Sequence, residues 1–286
     1  MATTLFYPMR GAPVLLYFAK NYRYNDNMQL ASHIHRIQRL PHRVTTAAST
    51  YPAGHLIDWH RHPRAQLAYA ERGVIRVSTD EGVWITPPER AVWVPAGIEH
   101  RVEMQGTVRM HSLYVKPDAL PDGFDQCRVV LVTPLLRELI RAAVSLPEGY
   151  DETGADGRLM RVLIDQLHSL GQAPLHLPVP EDARLKRITT ALMDDPSDRR
   201  NLEDWAQTAG ASARTLERAF RRETGMTFRS WRQQARLLAA LTALAGKRPV
   251  TQVALDLGYE SPSAFIAMFR RAFGVSPGRF FQSPRE

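Results

Sequence analysis

The stretch Phe220-Arg221-Arg222-Glu223-Thr224-Gly225 returns 49 residues later as Phe269-Arg270-Arg271-Ala272-Phe273-Gly274. The likeness extends on both sides. Ala206–Gly210 matches Ala254–Gly258, and Ser212 matches Ser261 with one extra residue in the second turn. Leu216, four before Phe220, matches Phe265, four before Phe269. Residues four apart lie on one helix face, so each copy reads as helix, tight turn, helix. Asn201, Ser212 and Ser261 are N-cap candidates; Asp204 stands in a first turn and Pro262 at a first helical position, where each is favoured. Gly210, Gly225, Gly258 and Gly274 end the helices. Between the copies, Thr227 to Leu244 is an uninterrupted helical pattern with Phe228, Trp231, Ala235, Leu238 and Leu241 on one face. Such a helix holds two readers at a fixed separation, and paired readers can enter successive major-groove segments about one turn of DNA apart.

The charge is distributed accordingly. The 286 residues carry a net charge of +8. From Asp182 onward there are 18 Lys+Arg and 11 Asp+Glu, whereas the first 181 residues are nearly balanced, with 19 and 18. A basic excess confined to one segment is the electrostatic footprint of a nucleic-acid-binding domain, although a basic surface also serves solubility. One cysteine, Cys127, excludes an internal disulfide framework and a Cys-rich zinc finger, and fits a reducing compartment. The longest apolar patch, Val14–Ala19, is far short of the ~20 residues of a membrane span and lacks signal-peptide flanks. The cytoplasm is the expected location, with no membrane partner.

Residues 1–40 show no clear periodicity and are expected to be an N-terminal extension, partly disordered, with Met28 a candidate second start. Short alternating runs separated by Gly, Pro and Asp then fill residues 41–120, which predicts a small sandwich or barrel. Over 121–170 the period becomes helical. Leu135, Leu136, Leu139, Ile140 and Ala143 form one stripe, and Leu159, Val162, Leu163, Gln166 and Leu167 another. This helical hairpin either covers the barrel or forms a dimer face. Residues 171–181 hold three prolines and are expected as the linker, and 182–286 are helical. The fold class is α+β multidomain: a β-barrel or sandwich with a helical hairpin, then an all-α double helix-turn-helix domain.

Two motifs carry a resemblance. Arg214-Thr215-Leu216-x-Arg218-x-Phe220-x-x-Glu223-x-Gly225, the connecting helix, and Val253-Ala254-x-x-x-Gly258-Tyr259-x-Ser261-x-Ser263-x-Phe265-x-x-x-Phe269-Arg270-x-x-Phe273-Gly274-x-x-Pro277 resemble the AraC-type transcription regulators over about a hundred residues. The resemblance implies double-stranded promoter DNA as partner, a homodimer, and RNA polymerase as a further contact. It places base reading on Arg214, Glu217 and Arg218. Arg can grip guanine O6 and N7, and Glu can accept from cytosine N4. The second helix presents Pro262, Ser263, Ala264, Ile266 and Ala267, which offer little hydrogen bonding. It is expected to supply position through Ser261, Arg270 and Arg271, as Ser212, Arg221 and Arg222 do for the first.

Gly54-x5-His60-x-His62-x3-Gln66-x6-Gly73 and Pro95-x-Gly97-x2-His100 resemble the two cupin motifs. Alternate strand residues share a face, so His60 and His62 can point together into the barrel; the cupin resemblance implies that they, Gln66 and His100 converge on a divalent transition metal: zinc, nickel, iron or copper. Three departures stand out. Gln66 replaces the usual Glu, Met104 stands where Asn often closes the motif, and Glu89 replaces the glycine six before Pro95. Asp58, Trp59, Tyr69, Trp84 and Trp93 are candidate walls of an effector pocket, or barrel core in the case of the tryptophans. The whole chain is thus similar to regulators that pair a cupin-like metal or small-molecule sensor with a double reader, relatives of which often control transport or detoxification genes. The rival readings are a cupin metalloenzyme fused to a DNA-binding tail, disfavoured because no carboxylate base stands beside the ligands, and a constitutive regulator with an empty barrel.

Overall fold

The computed structural model describes residues 33–120, 123–168 and 170–281. Residues 1–32, with Met28 and the Val14–Ala19 patch, lie outside them.

Two long strands organise the sensor half. β3 (Ala65–Ser78) pairs antiparallel with β6 (His100–Val115) along its length. The register shifts twice between Ala70 and Val74, and there the sheet bends. Gly73 makes the bend possible. Its φ is +85°, and a Cβ would lie 2.6 Å from the Thr107 carbonyl oxygen. On either side of the bend β3 takes different partners, β5 (Arg90–Val94) at its start and β4 (Gly82–Thr86) at its end. β1 (Val44–Tyr51) and β2 (Leu56–His60) both pair with β6, and β7 (Arg128–Leu131) with β5. Glu89 has φ +62°, so the backbone keeps the left-handed turn that the cupin-like glycine would supply.

Alternation along β3 separates two environments. Gln66, Ala68 and Ala70 lie opposite Tyr114, Ser112 and Met110. Leu67 and Tyr69 face the other way, into a cluster with Leu136, Ile140 and Ala143 of α1 (Pro134–Val144) and Met160, Leu163 and Leu167 of α2 (Ala155–His168). The hairpin therefore covers one face of the sheet. Thr133 caps α1 by accepting from Leu136 N, with Pro134 at the first position. Leu135 and Val162, placed in the sequence-derived stripes, point outward at 54% and 43% exposure.

Three boundaries differ from the sequence reading. Residues 33–40 are joined to the barrel: Ile37 is fully buried against Ala47 and Tyr114, and the Arg64 guanidinium donates to the Gln38, Leu40 and His42 carbonyls. Within 121–170, residues 128–131 are strand β7. The expected linker, 171–181, contains β8 (Gln172–Ala173), paired with β7, and β9 (His176–Pro178), paired with β4. Prolines are tolerated at strand edges and ends, and two- and three-residue strands carry too little alternation to be read.

The C-terminal half follows its caps. α3 (Ala183–Asp194) leads to α4 (Leu202–Ala209), which opens with a capping box between Asn201 and Asp204 and ends at left-handed Gly210. Ser212 caps α5 (Ala213–Thr224), Thr227 caps the connecting helix α6 (Phe228–Ala245), and α7 (Val250–Asp256) precedes α8 (Pro262–Phe273), capped by Ser261. α9 (Pro277–Phe280) packs its Phe280 on Phe269 and Phe273.

The two halves share one hydrophobic cluster. α6 lies against β3, β4, β6 and β9. Its Trp231, wholly buried, donates through Nε1 to the Pro178 carbonyl at 2.8 Å, and Gln234 donates to the Pro174 carbonyl. From the other side, Glu223 of α5 accepts from the Glu181 and Asp182 amides. Residues 174–182 thus form a strap fastened to the barrel, to the connecting helix and to the first reader.

Candidate metal centre and nucleic-acid interface

β2 and β6 meet at a His60–His100 cross-strand pair, and the chain leaving β2 brings His62 beside them. Ring centroids are 4.2 Å apart for His60–His100 and 5.0 Å for His62–His100, and one ligand atom from each imidazole lies within 4.8 Å of the others. Each ring is oriented by a main-chain carbonyl. Nδ1 of His60 bonds Asp58 O at 2.8 Å, Nδ1 of His62 bonds Arg64 O at 2.5 Å, and Nδ1 of His100 bonds Ile98 O at 2.9 Å. A carbonyl only accepts, so each Nδ1 carries the proton and each Nε2 a lone pair.

Burial keeps these rings neutral. It pulls His60 down to about 4, against opposing hydrogen bonds, and His100 down to about 2, with the neighbouring histidines adding to the effect. His62 is lowered too, chiefly by burial. At neutral pH the lone pairs are available.

Gln66 completes the set. Its amide nitrogen donates to Ser112 Oγ at 2.9 Å and approaches Tyr114 OH at 3.4 Å, which turns Oε1 toward His62 Nε2, 3.1 Å away. Two acceptors therefore face each other. His100 Nε2 is buried with no hydrogen-bond partner among the described residues. Buried lone pairs of this kind call for a cation or a hydrogen-bond donor, and the three imidazoles with the Gln66 amide fit a metal ion. Ser112 and Tyr114 were not foreseen. Their alternation on β6 opposite Gln66 is the signal that could have found them. Met104, where an Asn was expected, is a buried core residue.

The candidate effector walls do not assemble into one pocket. Tyr69 and Trp93 pack on the opposite face, under the hairpin, with Trp93 Nε1 donating to Phe124 O. Trp84 stacks on His176 of β9 at 4.5 Å. Asp58 and Trp59 are exposed, Asp58 reaching the site only through its carbonyl and Trp59 lying under the Arg101 guanidinium. β-branched and aromatic runs announce strands, but which face becomes a cavity depends on the bend in β3. His111 faces Glu71 at 3.8 Å, away from the centre.

On the helical half, Arg214 and Arg218 project from α5 into solvent and form no ion pair among the described residues. Glu217 is placed differently from the expectation of a free base reader. It accepts from Arg221 Nε at 3.2 Å and from Phe228 N at 3.3 Å, so it holds the turn between α5 and α6. Arg222 pairs with Glu223. On α8, Ser263, Ala267, Arg270 and Arg271 are exposed, whereas Ile266 is partly buried in the core. Ser212 and Ser261 spend their hydroxyls on capping.

Residues 44–194 match the AraC-like ligand binding domain and residues 205–283 a helix-turn-helix domain. The HTH-type transcriptional regulator NimR of Escherichia coli K12 is 34% identical over 221 residues, 77% of this chain and 81% of that protein. The arabinose operon regulatory protein of the same organism is 23% identical over 233 residues, 80% and 70% of the two chains. Among solved structures, the DNA-binding domain of AdpA in complex with a target DNA aligns with 33% of this chain and 86% of its own at 30% identity, with a TM-score of 0.32. No helix among the described residues is long and apolar enough to cross a membrane. A ligand-binding sheet domain fastened to a pair of capped helical readers, each matched by its own family, identifies the chain as a member of the AraC-type transcription regulators, DNA-binding proteins and not enzymes.

Proposed function

We propose that this regulator senses a divalent transition-metal ion at His60, His62, His100 and Gln66. The observation that carries the reading is the convergence of acceptors around the orphaned His100 Nε2. When bound, the ion supplies the positive charge that these lone pairs lack; imidazole donors suit zinc, nickel, copper or iron. The four donors are neutral, so the protein leaves the ion's charge uncancelled, which favours an anionic small molecule as co-ligand. β6 carries His100 at its start and Gly106 farther on, in the stretch that meets the connecting helix, where a Cβ on Gly106 would lie 3.1 Å from Ala245 O. A shift of β6 on loading is thereby felt by α6 and biases the readers. Metal analysis of the purified protein beside DNA footprinting with and without chelator tests this. About one ion per chain and a chelator-dependent footprint are expected; a metal-free protein with an unchanged footprint refutes it.

The base-reading role falls to Arg214 and Arg218, whose guanidinium groups are free, and α8 fixes position through Arg270 and Arg271. Arg218→Ala is expected to remove about 1–3 kcal/mol of discrimination at one or two operator positions, and Arg270→Ala to weaken all sequences alike. Equal loss of discrimination on a panel of operator variants contradicts this division. The homodimer is assigned to the outer face of the hairpin, where Leu135 and Val162 are exposed; a monomer in sedimentation at micromolar concentration rejects that assignment.

A further inference from the structure

The connecting helix carries charge that neither reader uses. Arg229, Arg232 and Arg236 of α6 are spaced by three and four and so share one face. With Gln233 they line a cavity of about 330 Å³ whose other wall is Tyr259 and Met268 of the second unit. Arg229 also lines a hollow of about 520 Å³ with Arg214 and Glu217 of the first reader. Arg229 thus borders both hollows, one beside α5 and one beside α8, the first also lined by Glu203.

None of the three arginines forms an ion pair among the described residues. Two are held in place by carbonyl oxygens: Arg232 Nη1 donates to Arg200 O at 2.8 Å, and Arg236 donates to Pro196 O at 2.7 Å and Asp198 O at 3.1 Å. Carbonyls position a guanidinium without cancelling its charge. Burial above all, then the neighbouring Arg236 and Arg229, lowers the Arg232 pKa, against the opposing pull of Asp198. Arg229 makes no hydrogen bond among the described residues and is exposed at the rim. Two positioned guanidinium groups and a third, free one at the rim, with Asp198 the acidic group acting on Arg232, leave a net positive concavity suited to an oxyanion, and guanidinium groups match phosphate oxygens.

We propose that this pocket takes a backbone phosphate of the operator, from the stretch between the two groove segments entered by α5 and α8, and so serves as a third, sequence-independent anchor. The proposal rests on the DNA-binding assignment above and adds a contact outside both recognition helices. It fits one source of phosphate, the duplex, because Arg229 of this pocket also borders the hollow lined by Arg214.

The test uses the full-length protein on its footprinted operator and on random duplex, from 50 to 200 mM salt, comparing wild type with Arg229→Ala, Arg229→Lys and Arg229→Glu. Arg229 bears no structural bond, so these variants keep the fold, which thermal unfolding verifies. The expected result is a loss of roughly 3- to 10-fold for Arg229→Ala on both duplexes alike, with the log–log salt slope smaller by about 0.9, one phosphate contact fewer. Arg229→Lys should keep most of the affinity and Arg229→Glu lose more than Ala. Unchanged affinity and slope would overturn the proposal. So would a loss confined to one operator base pair, which marks a base reader, or inorganic phosphate raising the Tm of wild type but not of Arg229→Ala while both bind DNA equally, which marks a free-anion site. Failure of wild type to prefer its operator over random duplex would instead strike the parent assignment.

Discussion

His100→Ala is expected to abolish metal loading, with affinity reduced more than about 100-fold, since even disturbing the groups that merely orient a ligand costs 10- to 100-fold. His100 is wholly buried, its Nδ1 is fixed by Ile98 O and its Nε2 has no protein partner. That combination is what the proposed ligand role requires and a purely packed histidine does not. A core histidine contributes hydrogen bonds, and its removal destabilises the protein with or without metal. His100 has an unsatisfied atom, whose burial costs roughly 1–3 kcal/mol. Deleting the ring relieves that penalty but opens a cavity and leaves the Ile98 carbonyl without its partner, so the metal-free protein should lose less stability than the metal-loaded one. The measurement is therefore double: isothermal titration with a divalent ion, and urea unfolding in chelator and with the ion present. A variant that binds the ion as well as wild type, or one whose loss of stability is the same in chelator as with the ion present, argues against the centre. Operator affinity of the variant should also become indifferent to chelation, because the site that biases α6 is gone.

Trp231→Ala should be the most destabilising of the substitutions considered, by about 3–5 kcal/mol. The indole is fully buried, its ring lies 6.3 Å from Phe220 of the first reader, and its Nε1 bonds Pro178 O on the strap. Removing it opens a cavity in the cluster shared by both halves and strands the carbonyl. Trp231→Phe separates the two effects. It keeps most of the volume and loses the hydrogen bond, worth about 1 kcal/mol. If the strap couples sensor to reader, the Phe variant should unfold near the wild-type midpoint yet show a weaker chelator effect on its footprint. A wild-type urea midpoint for Trp231→Ala would show that the halves do not share this core.

Legibility in the sequence tracked the range of the interactions. Ser212, Gly225, Ser261 and Gly274 bounded their helices as expected, because a cap and an i,i+4 pair act within a few residues. The histidine set was also legible through the cupin-like motifs: the end of β2 and the start of β6 pair His60 with His100, and the chain just past β2 brings His62 beside them. The pocket walls were not. Tyr69 and Gln66 sit three residues apart on one strand and face opposite environments, and nothing local says which side the hairpin covers. Glu217 looked like a base reader because its position on α5 is exposed in any isolated helix. Its commitment to Phe228 N exists only once α6 has folded back beside it.

The chain alone established the helical repeat, the strand-rich sensor and the basic excess after Asp182, which follow from periodicity, capping and composition, while the imidazole set was legible through its resemblance to the cupin motifs. Folding in three dimensions added the strap of residues 174–182, the orphaned Nε2 of His100, the Gln66 orientation set by Ser112 and Tyr114, and the arginine cavity on α6. These depend on segments distant in sequence meeting at ångström precision. Residue patterns encode which groups are available, and the bend of β3 around Gly73, together with the docking of α6 on the sheet, sets which of them meet.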